Sequence, residues 1–194
     1  MASKIEVCGG FDGSENDDWT AIRLETFEGF QFTPTYGPDS RPTFWDPHEW
    51  GGNIPRSEVD AAWSEINDRF KIKRVYLDPP YWKSDIERWI ELYGDEVFVM
   101  WATYRTQASY DALVRYRSDL RTKQVTSDAC EATALHMANA RKIAKPSDRY
   151  LIGKPSQHQK IDLAMTSVLA HEAACDERAE GWGEEPSKQV FVLR

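Results

Sequence analysis

Cysteine is scarce in this chain: Cys8, Cys130 and Cys175 are the only three in 194 residues, and no two form a C-x-x-C pair. An odd, scattered set excludes a disulfide framework and a cysteine-built zinc site, and it fits a reducing compartment. No apolar run approaches the roughly 20 residues of a membrane helix. The Met1-Ala2-Ser3-Lys4 start has no apolar stretch behind it, so no secretory signal is expected. The G-x-x-x-x-G-K-[ST] phosphate loop is missing, which removes ATP hydrolysis from the readings of these residues. His48, His136, His158 and His171 show no H-E-x-x-H spacing, and there is no G-x-S-x-G elbow. The cysteines are expected to be small buried side chains, not nucleophiles.

What is present reads as one globular domain over 1–194, with an ordered core over about 4–180 and a loose Gly/Glu/Pro-rich tail from Gly181. Apolar residues make up 41% and charged residues 29%, with a net charge of −8. That charge is unevenly spread. Residues 1–70 carry 5 Lys+Arg against 14 Asp+Glu, whereas 71–160 carry 16 against 11 and 161–194 carry 3 against 7. A net −9 start, a +5 middle and a −4 end allow a local basic surface on an acidic protein. Arg115, Arg117, Arg121, Lys123, Arg141, Lys142 and Lys145 are its candidate phosphate contacts.

Periodicity divides the chain into elements. Ile5–Phe11, Trp19–Phe27 and Phe30–Thr33 read as three antiparallel strands. Residues 34–55 hold five prolines and read as a long loop whose Phe44, Trp45 and Trp50 cover a core edge. Arg56–Phe70 is helical, with Val59, Ala62, Trp63 and Ile66 on one face. A strand over Ile72–Leu77, a helix over Lys83–Tyr93 and a strand over Val97–Ala102 follow. Helices are then expected over Gln107–Leu120, Ser127–Ile143 and Lys160–Ala179, with an edge strand at Val190–Leu193. An antiparallel entry followed by strand–helix alternation is an α/β fold with a mixed sheet flanked by helices.

Three aspartates occupy the positions where such folds place chemistry. Asp12 and Asp78 end strands, and Asp162 lies in the first turn of the last helix; strand ends and a helix start converge at one sheet edge. Each also has a plain structural explanation: a turn before Gly13, a cap after a strand, a favourable place in the helix dipole. Together they form an all-oxygen set of the kind that binds Mg²⁺ or Mn²⁺. Two such ions can both activate water and neutralise the leaving oxygen of a phosphodiester.

The order of motifs carries a resemblance. Gly10-Phe11-Asp12-Gly13-Ser14 is followed by Asp18-Trp19-Thr20-Ala21-Ile22, and Val75-Tyr76-Leu77-Asp78-Pro79 closes a later strand. His136 and Asn139-Ala140 precede Gln159-Lys160-Ile161-Asp162-Leu163-Ala164, and the whole set spans about residues 5–175. In this order they resemble the C-terminal nuclease domain of the phage terminase large subunit, a ribonuclease-H-like enzyme that cuts concatemeric DNA during packaging. The resemblance implies that Asp12, Asp78 and Asp162 hold two Mg²⁺ or Mn²⁺ ions, with Lys160 beside them facing phosphate. It offers His136 and Asn139 as auxiliaries, although helix packing explains those two equally well. It also implies double-stranded DNA as substrate, the host cytoplasm as location, and the terminase ATPase domain, small subunit and portal as partners. The family's ATPase half has no counterpart in these residues.

Two other readings remain open at this point. Asp78-Pro79-Pro80-Tyr81 matches the signature of DNA amino-methyltransferases, in which the tyrosine stacks on a flipped base. Such an enzyme needs a glycine-rich cofactor loop, of which Cys8-Gly9-Gly10-Phe11-Asp12-Gly13 is a loose imitation, and it leaves Asp162 without a task. A catalytically silent DNA-binding module is the non-enzymatic alternative, resting on the basic middle segment.

Overall fold

A computed structural model describes residues 3–15 and 17–183. The expected strand at Val190–Leu193 lies outside them, as does the tail beyond Gly183. Strand β1 (Glu6–Asp12) pairs antiparallel with β2 (Thr20–Thr26), which pairs antiparallel with β3 (Phe30–Phe32). The proline-rich stretch is not featureless. It holds β4 (Thr35–Tyr36), β5 (Arg41–Pro42), β6 (Phe44–Trp45) and a single 3-10 turn over Pro47–Trp50. Trp45 is buried there, donating to Tyr36 Oη at 2.8 Å, and Phe44 stacks on Trp19.

The alternating half follows the sequence pattern closely. Helix α1 (Arg56–Arg69) leads into β7 (Lys71–Leu77), α2 (Lys83–Tyr93) into β8 (Phe98–Met100), and α3 (Thr106–Arg121) into β9 (Thr126–Ser127). Strands β7 and β8 run parallel to β1, giving a main sheet in the order β8-β7-β1-β2-β3-β9, with β6 also on β2. Thus the sheet is mixed, as expected.

One expected helix is shorter than its pattern implied. Instead of running over Ser127–Ile143, α4 covers Glu131–Asn139. Arg141–Lys145 (β10) then pairs antiparallel with Arg149–Gly153 (β11), a hairpin turned by Ser147 and Asp148 in left-handed backbone. Arg141, Lys142 and Lys145 therefore sit on a strand, where alternate side chains face opposite ways. The last helix, α5 (Asp162–Ala179), begins two residues after Lys160. Trp182 is buried and donates to Glu6 at 2.8 Å.

The two faces of β1 divide the core. Val7 and Phe11 join Ile22, Leu24, Val75 and Leu77 beneath Val59, Trp63 and Ile66 of α1 and Ile86 and Trp89 of α2. Cys8 faces the other way, with Tyr76, Leu169 and Ala173. Gly10 shares that second face, where α5 crosses so close that a Cβ would lie 2.3 Å from Thr166 O and 2.6 Å from Ala170 N. Gly10→Ala is accordingly expected to destabilise the fold by about 1–3 kcal/mol or more, since backbone cannot swing aside as a side chain can. Denaturant unfolding measures this, and a neutral result would mean that α5 is less tightly seated.

Candidate active site

Strand parity places two of the aspartates on the α5 face. Asp12 has the parity of Cys8 and Gly10, and Asp78 that of Tyr76, so both point toward α5. The parallel register pairs Phe11 with Leu77, and the Asp78 N–H donates to Phe11 O at 3.0 Å, so the two aspartates leave adjacent strand ends side by side. Asp162 opens α5 and meets them from above. All three line one cleft of about 340 Å³ with Ser14, Asp18, Pro80, Tyr81, Lys154 and Met165 among its other walls.

Each carboxylate is held differently. Asp78 accepts from the Thr103 N–H at 3.0 Å and from Thr103 Oγ1 at 2.7 Å, which fixes its plane. Burial nevertheless pushes its pKa up, against those two bonds. Burial, with the nearby charge of Asp18, raises Asp162 to about 6. Asp12 stands well above the usual carboxylate range, first through burial and then through Asp162, Asp78 and Asp18. Such a cluster resists full ionisation until a cation joins it.

In chemistry the donor set suits a divalent cation, although the three carboxylates do not all approach within 4.8 Å of one another. Its ligating atoms would be carboxylate oxygens, and Asp162 Oδ2 is buried with no hydrogen-bond partner. A buried, unpaired carboxylate oxygen is costly unless something positive completes it.

The auxiliary residues act mainly on the start of α5. His136 is buried, and its Nδ1 accepts from the Leu163 N–H at 3.1 Å, satisfying one of the free donors in the first turn of α5. Burial, with Lys160 nearby, lowers its pKa to about 4, so it is neutral, and Asp162 Oδ2 lies 4.0 Å from the same nitrogen. Asn139 Nδ2 donates to Lys160 O at 3.0 Å. Both residues thus fasten α4 to the residues that present Asp162, and neither lines the cleft.

Lys160 reaches Asp18 at 3.1 Å and Asp17 at 3.2 Å, and Lys154 also pairs with Asp18. Burial works against Asp18, but these two ammonium groups hold it below the usual carboxylate range. Asp18, Lys154 and Thr103 are site residues that motif reading passed over. Asp18 opens the Asp18-Trp19-Thr20-Ala21-Ile22 stretch, whereas Lys154 reaches the cleft from the end of the β10–β11 hairpin, which periodicity does not predict.

Of the seven basic residues offered as phosphate contacts, none lines the cleft. Arg115 lies 3.5 Å from Glu172 and 3.7 Å from Asp176 of α5. Arg117 and Arg121 border a separate cavity with Tyr110 and Tyr150, and Lys142 lies over the Tyr150 ring at 4.2 Å. Arg141 donates to Ala138 O and Ala140 O at the end of α4. Lys123 is exposed in left-handed backbone after α3, and Lys145 pairs with Arg149 at the hairpin turn.

The cysteines depart from expectation, since only Cys8 is fully buried. Cys175 joins His171 and Asp119 in the one group of three metal-type ligands that lie within 4.8 Å of one another among the described residues. That group is internally satisfied. His171 meets Glu25 at 3.0 Å through Nδ1 and Asp119 at 3.0 Å through Nε2.

The methyltransferase reading loses its cofactor loop here, because Gly9 and Gly10 lie inside central strand β1 and are packed on both sides.

No family model matches the chain. The Gene 13 proteins of Mycobacterium phages D29 and L5 are 26% and 25% identical to it over 180 residues. The alignment covers 86% of this chain and 29% of either relative, so the chain spans under a third of their length. The large terminase nuclease of thermophilic phage G20c superposes with a TM-score of 0.65 at 14% identity, covering 87% of this chain and 82% of that one. A magnesium-bound form of that nuclease gives the same TM-score. The HK97 bacteriophage large terminase superposes at 0.66 with 14% identity, covering 88% of this chain and 40% of that one. The chain has the ribonuclease-H-like fold of the phage large terminase nucleases.

Proposed function

We propose that this chain is a divalent-metal-dependent endonuclease that cuts double-stranded DNA during phage genome packaging, with little sequence preference of its own. The observation that carries this reading is the convergence of Asp12, Asp78 and Asp162 on one cleft, with a buried Asp162 oxygen that lacks a partner. These three residues would hold two Mg²⁺ or Mn²⁺ ions. When bound, such ions acidify a water and neutralise the departing oxygen of a phosphodiester.

The protein's own part is to fix the ligands. Thr103 orients Asp78, and His136 and Asn139 hold the start of α5 so that Asp162 faces the strand ends. Neutral His136 adds no competing charge beside Asp162. Lys154 lines the cleft and Lys160 meets it through Asp18, and both ammonium groups can turn from Asp18 toward an incoming phosphate. Arg117, Arg121, Lys123, Arg141, Lys142 and Lys145 are assigned weaker backbone contacts away from the cut. Arg115 is not among them, because Glu172 and Asp176 occupy it. Cutting leaves a 5′-phosphate and a 3′-hydroxyl. Choice of cutting site falls to the ATPase domain, the small terminase subunit and the portal, in the host cytoplasm.

Plasmid nicking by the purified chain with Mn²⁺, Mg²⁺ or EDTA is the direct test, with Asp78→Asn and Asp162→Asn alongside. Metal-dependent cutting that both folded variants lose is the expected result. Salt-sensitive DNA binding with no cutting under any metal would instead favour a silent binding module. Binding of S-adenosylmethionine would revive the methyltransferase.

A further inference from the structure

Two tyrosine rings stand in water at the same edge of the fold. Among the exposed large side chains of the described residues, the most exposed rings are Tyr104 at 72% and Tyr81 at 66%. Both are tied to Asp78. Tyr81 follows it by three residues and lines the carboxylate cleft. Tyr104 comes directly after Thr103, whose backbone and hydroxyl hold the Asp78 carboxylate. The fold does not lack room for aromatics nearby, since the adjacent Trp82 is fully packed.

The Tyr81 backbone is also unusual. Its φ of 63° lies in the left-handed region, which a bulky side chain enters only when its surroundings impose it. Here they do. Arg56 Nη2 donates to Tyr81 O at 2.9 Å, its guanidinium lies 3.6 Å over the Trp82 ring, and it pairs with Asp85. On the other side Trp82 Nε1 donates to Ser14 O at 3.0 Å. The turn is fastened from both flanks, and what it presents to the cleft mouth is the ring.

Without bound cations, charge grips nucleic acid only weakly at this point. The cleft is lined by four aspartates, and its single basic side chain, Lys154, is paired with one of them. An aromatic face can hold a base there whatever the net charge, because every base offers a π surface. We propose that Tyr81 and Tyr104 form a stacking platform for nucleobases unpaired beside the scissile phosphate. A ring reaches a base only after that base leaves the helical stack. The favoured substrate is therefore a strand with locally unpaired bases, such as a gapped or frayed duplex. This assignment rests on the nuclease reading for the position of the scissile phosphate.

Fluorescence anisotropy in EDTA at fixed salt, with a labelled oligothymidine and an abasic strand of equal phosphate number, tests it. The wild-type chain is expected to bind the base-bearing strand at least about fivefold more tightly. Tyr81→Ala and Tyr104→Ala should each shrink that ratio and the double variant should bring it near one, whereas Tyr81→Phe and Tyr104→Phe keep it. Both rings are exposed, so melting temperatures should not move. Equal or absent binding of the two strands by the wild type, or an unchanged ratio in the alanine variants, overturns the platform. Wild-type plasmid nicking in Mn²⁺, run in parallel, separates the two ideas. Base preference without nicking would remove the nuclease reading and leave base stacking by the two rings with no scissile phosphate beside it, and nicking without base preference would leave the nuclease and overturn the platform.

Discussion

Changing Asp12 to asparagine is expected to abolish metal-dependent nicking and, in the same protein, to raise the melting temperature measured in EDTA. The two effects have one origin. Asp12 is half-buried on the α5 face and lies near Asp162, Asp78 and Asp18, so that burial first and those charges second hold its carboxyl well above the ordinary range. Asp162, raised to about 6, and Asp78, raised by burial, share the strain. The sign follows from proton counting. Folded pKa values above the unfolded value of about 4 mean that the folded chain holds more protons than the unfolded chain. The metal-free protein therefore loses stability as pH rises from about 4 through about 6 and beyond.

Asparagine keeps the size of the side chain and removes one charge, so its advantage in EDTA should be absent near pH 4 and grow toward neutrality. In a domain of this size each kcal/mol of relief moves the melting temperature by about 2–4 °C. Wild-type protein should instead gain stability from Mn²⁺ or Mg²⁺, a gain that Asp12→Asn largely loses. A variant less stable than wild type in EDTA at neutral pH would mean that Asp12 is a structural carboxylate. Retained nicking would move the metal site elsewhere.

The placement of these three carboxylates at one sheet edge is legible because strand parity and motif order are local properties of the chain. Helix α2 has the bounds Lys83–Tyr93 that its apolar spacing predicts. Asp12 ends β1 and Asp78 directly follows the neighbouring parallel strand β7, close to where a strand-end reading puts them. The hairpin escaped for a physical reason. Arg141-Lys142-Ile143-Ala144-Lys145 is polar on both faces and mostly exposed, so it carries no period of two and reads as the tail of a helix. Its turn signal, Pro146-Ser147-Asp148, is followed by the apolar Tyr150-Leu151-Ile152, but the basic segment before it offers no matching apolar strand. Lys154 was lost with it. The basic middle segment misled in another way. Sequence proximity groups Arg115 with Arg117, but only the fold shows Arg115 beside Glu172 and Asp176.

The least legible feature was the charged network behind α5, whose members Glu25, Asp119 and His171 are far apart in sequence. Removing its centre should have the largest effect on stability of any single change away from the cleft. Glu25 is fully buried and accepts from His171 Nδ1, from Arg178 Nη2 at 2.7 Å and from Gln31 Nε2 at 2.9 Å. His171 turns its other nitrogen to Asp119 and lies 3.4 Å from Cys175 Sγ, with the Tyr116 ring packed beside it. With a carboxylate at each ring nitrogen, both nitrogens donate and the imidazole is charged. Burial opposes that charge, but the Cys175 sulfur and the Glu25 carboxylate overcome it and lift the group to about 10.

A folded pKa above the unfolded value of about 6.5 gives a stabilisation that is complete below pH 6.5 and is lost as pH rises through about 10. His171→Ala leaves Glu25 buried without its imidazolium, a loss of about 3–5 kcal/mol. That corresponds to a fall of about 6–20 °C in melting temperature near neutral pH. The gap between variant and wild type should close as pH approaches 10, because the wild type then loses the same charge. Thermal melts of both proteins across this range decide the matter. A gap that stays constant with pH would mean that His171 contributes packing alone, and that Arg178 and Gln31 suffice to hold Glu25 in the core.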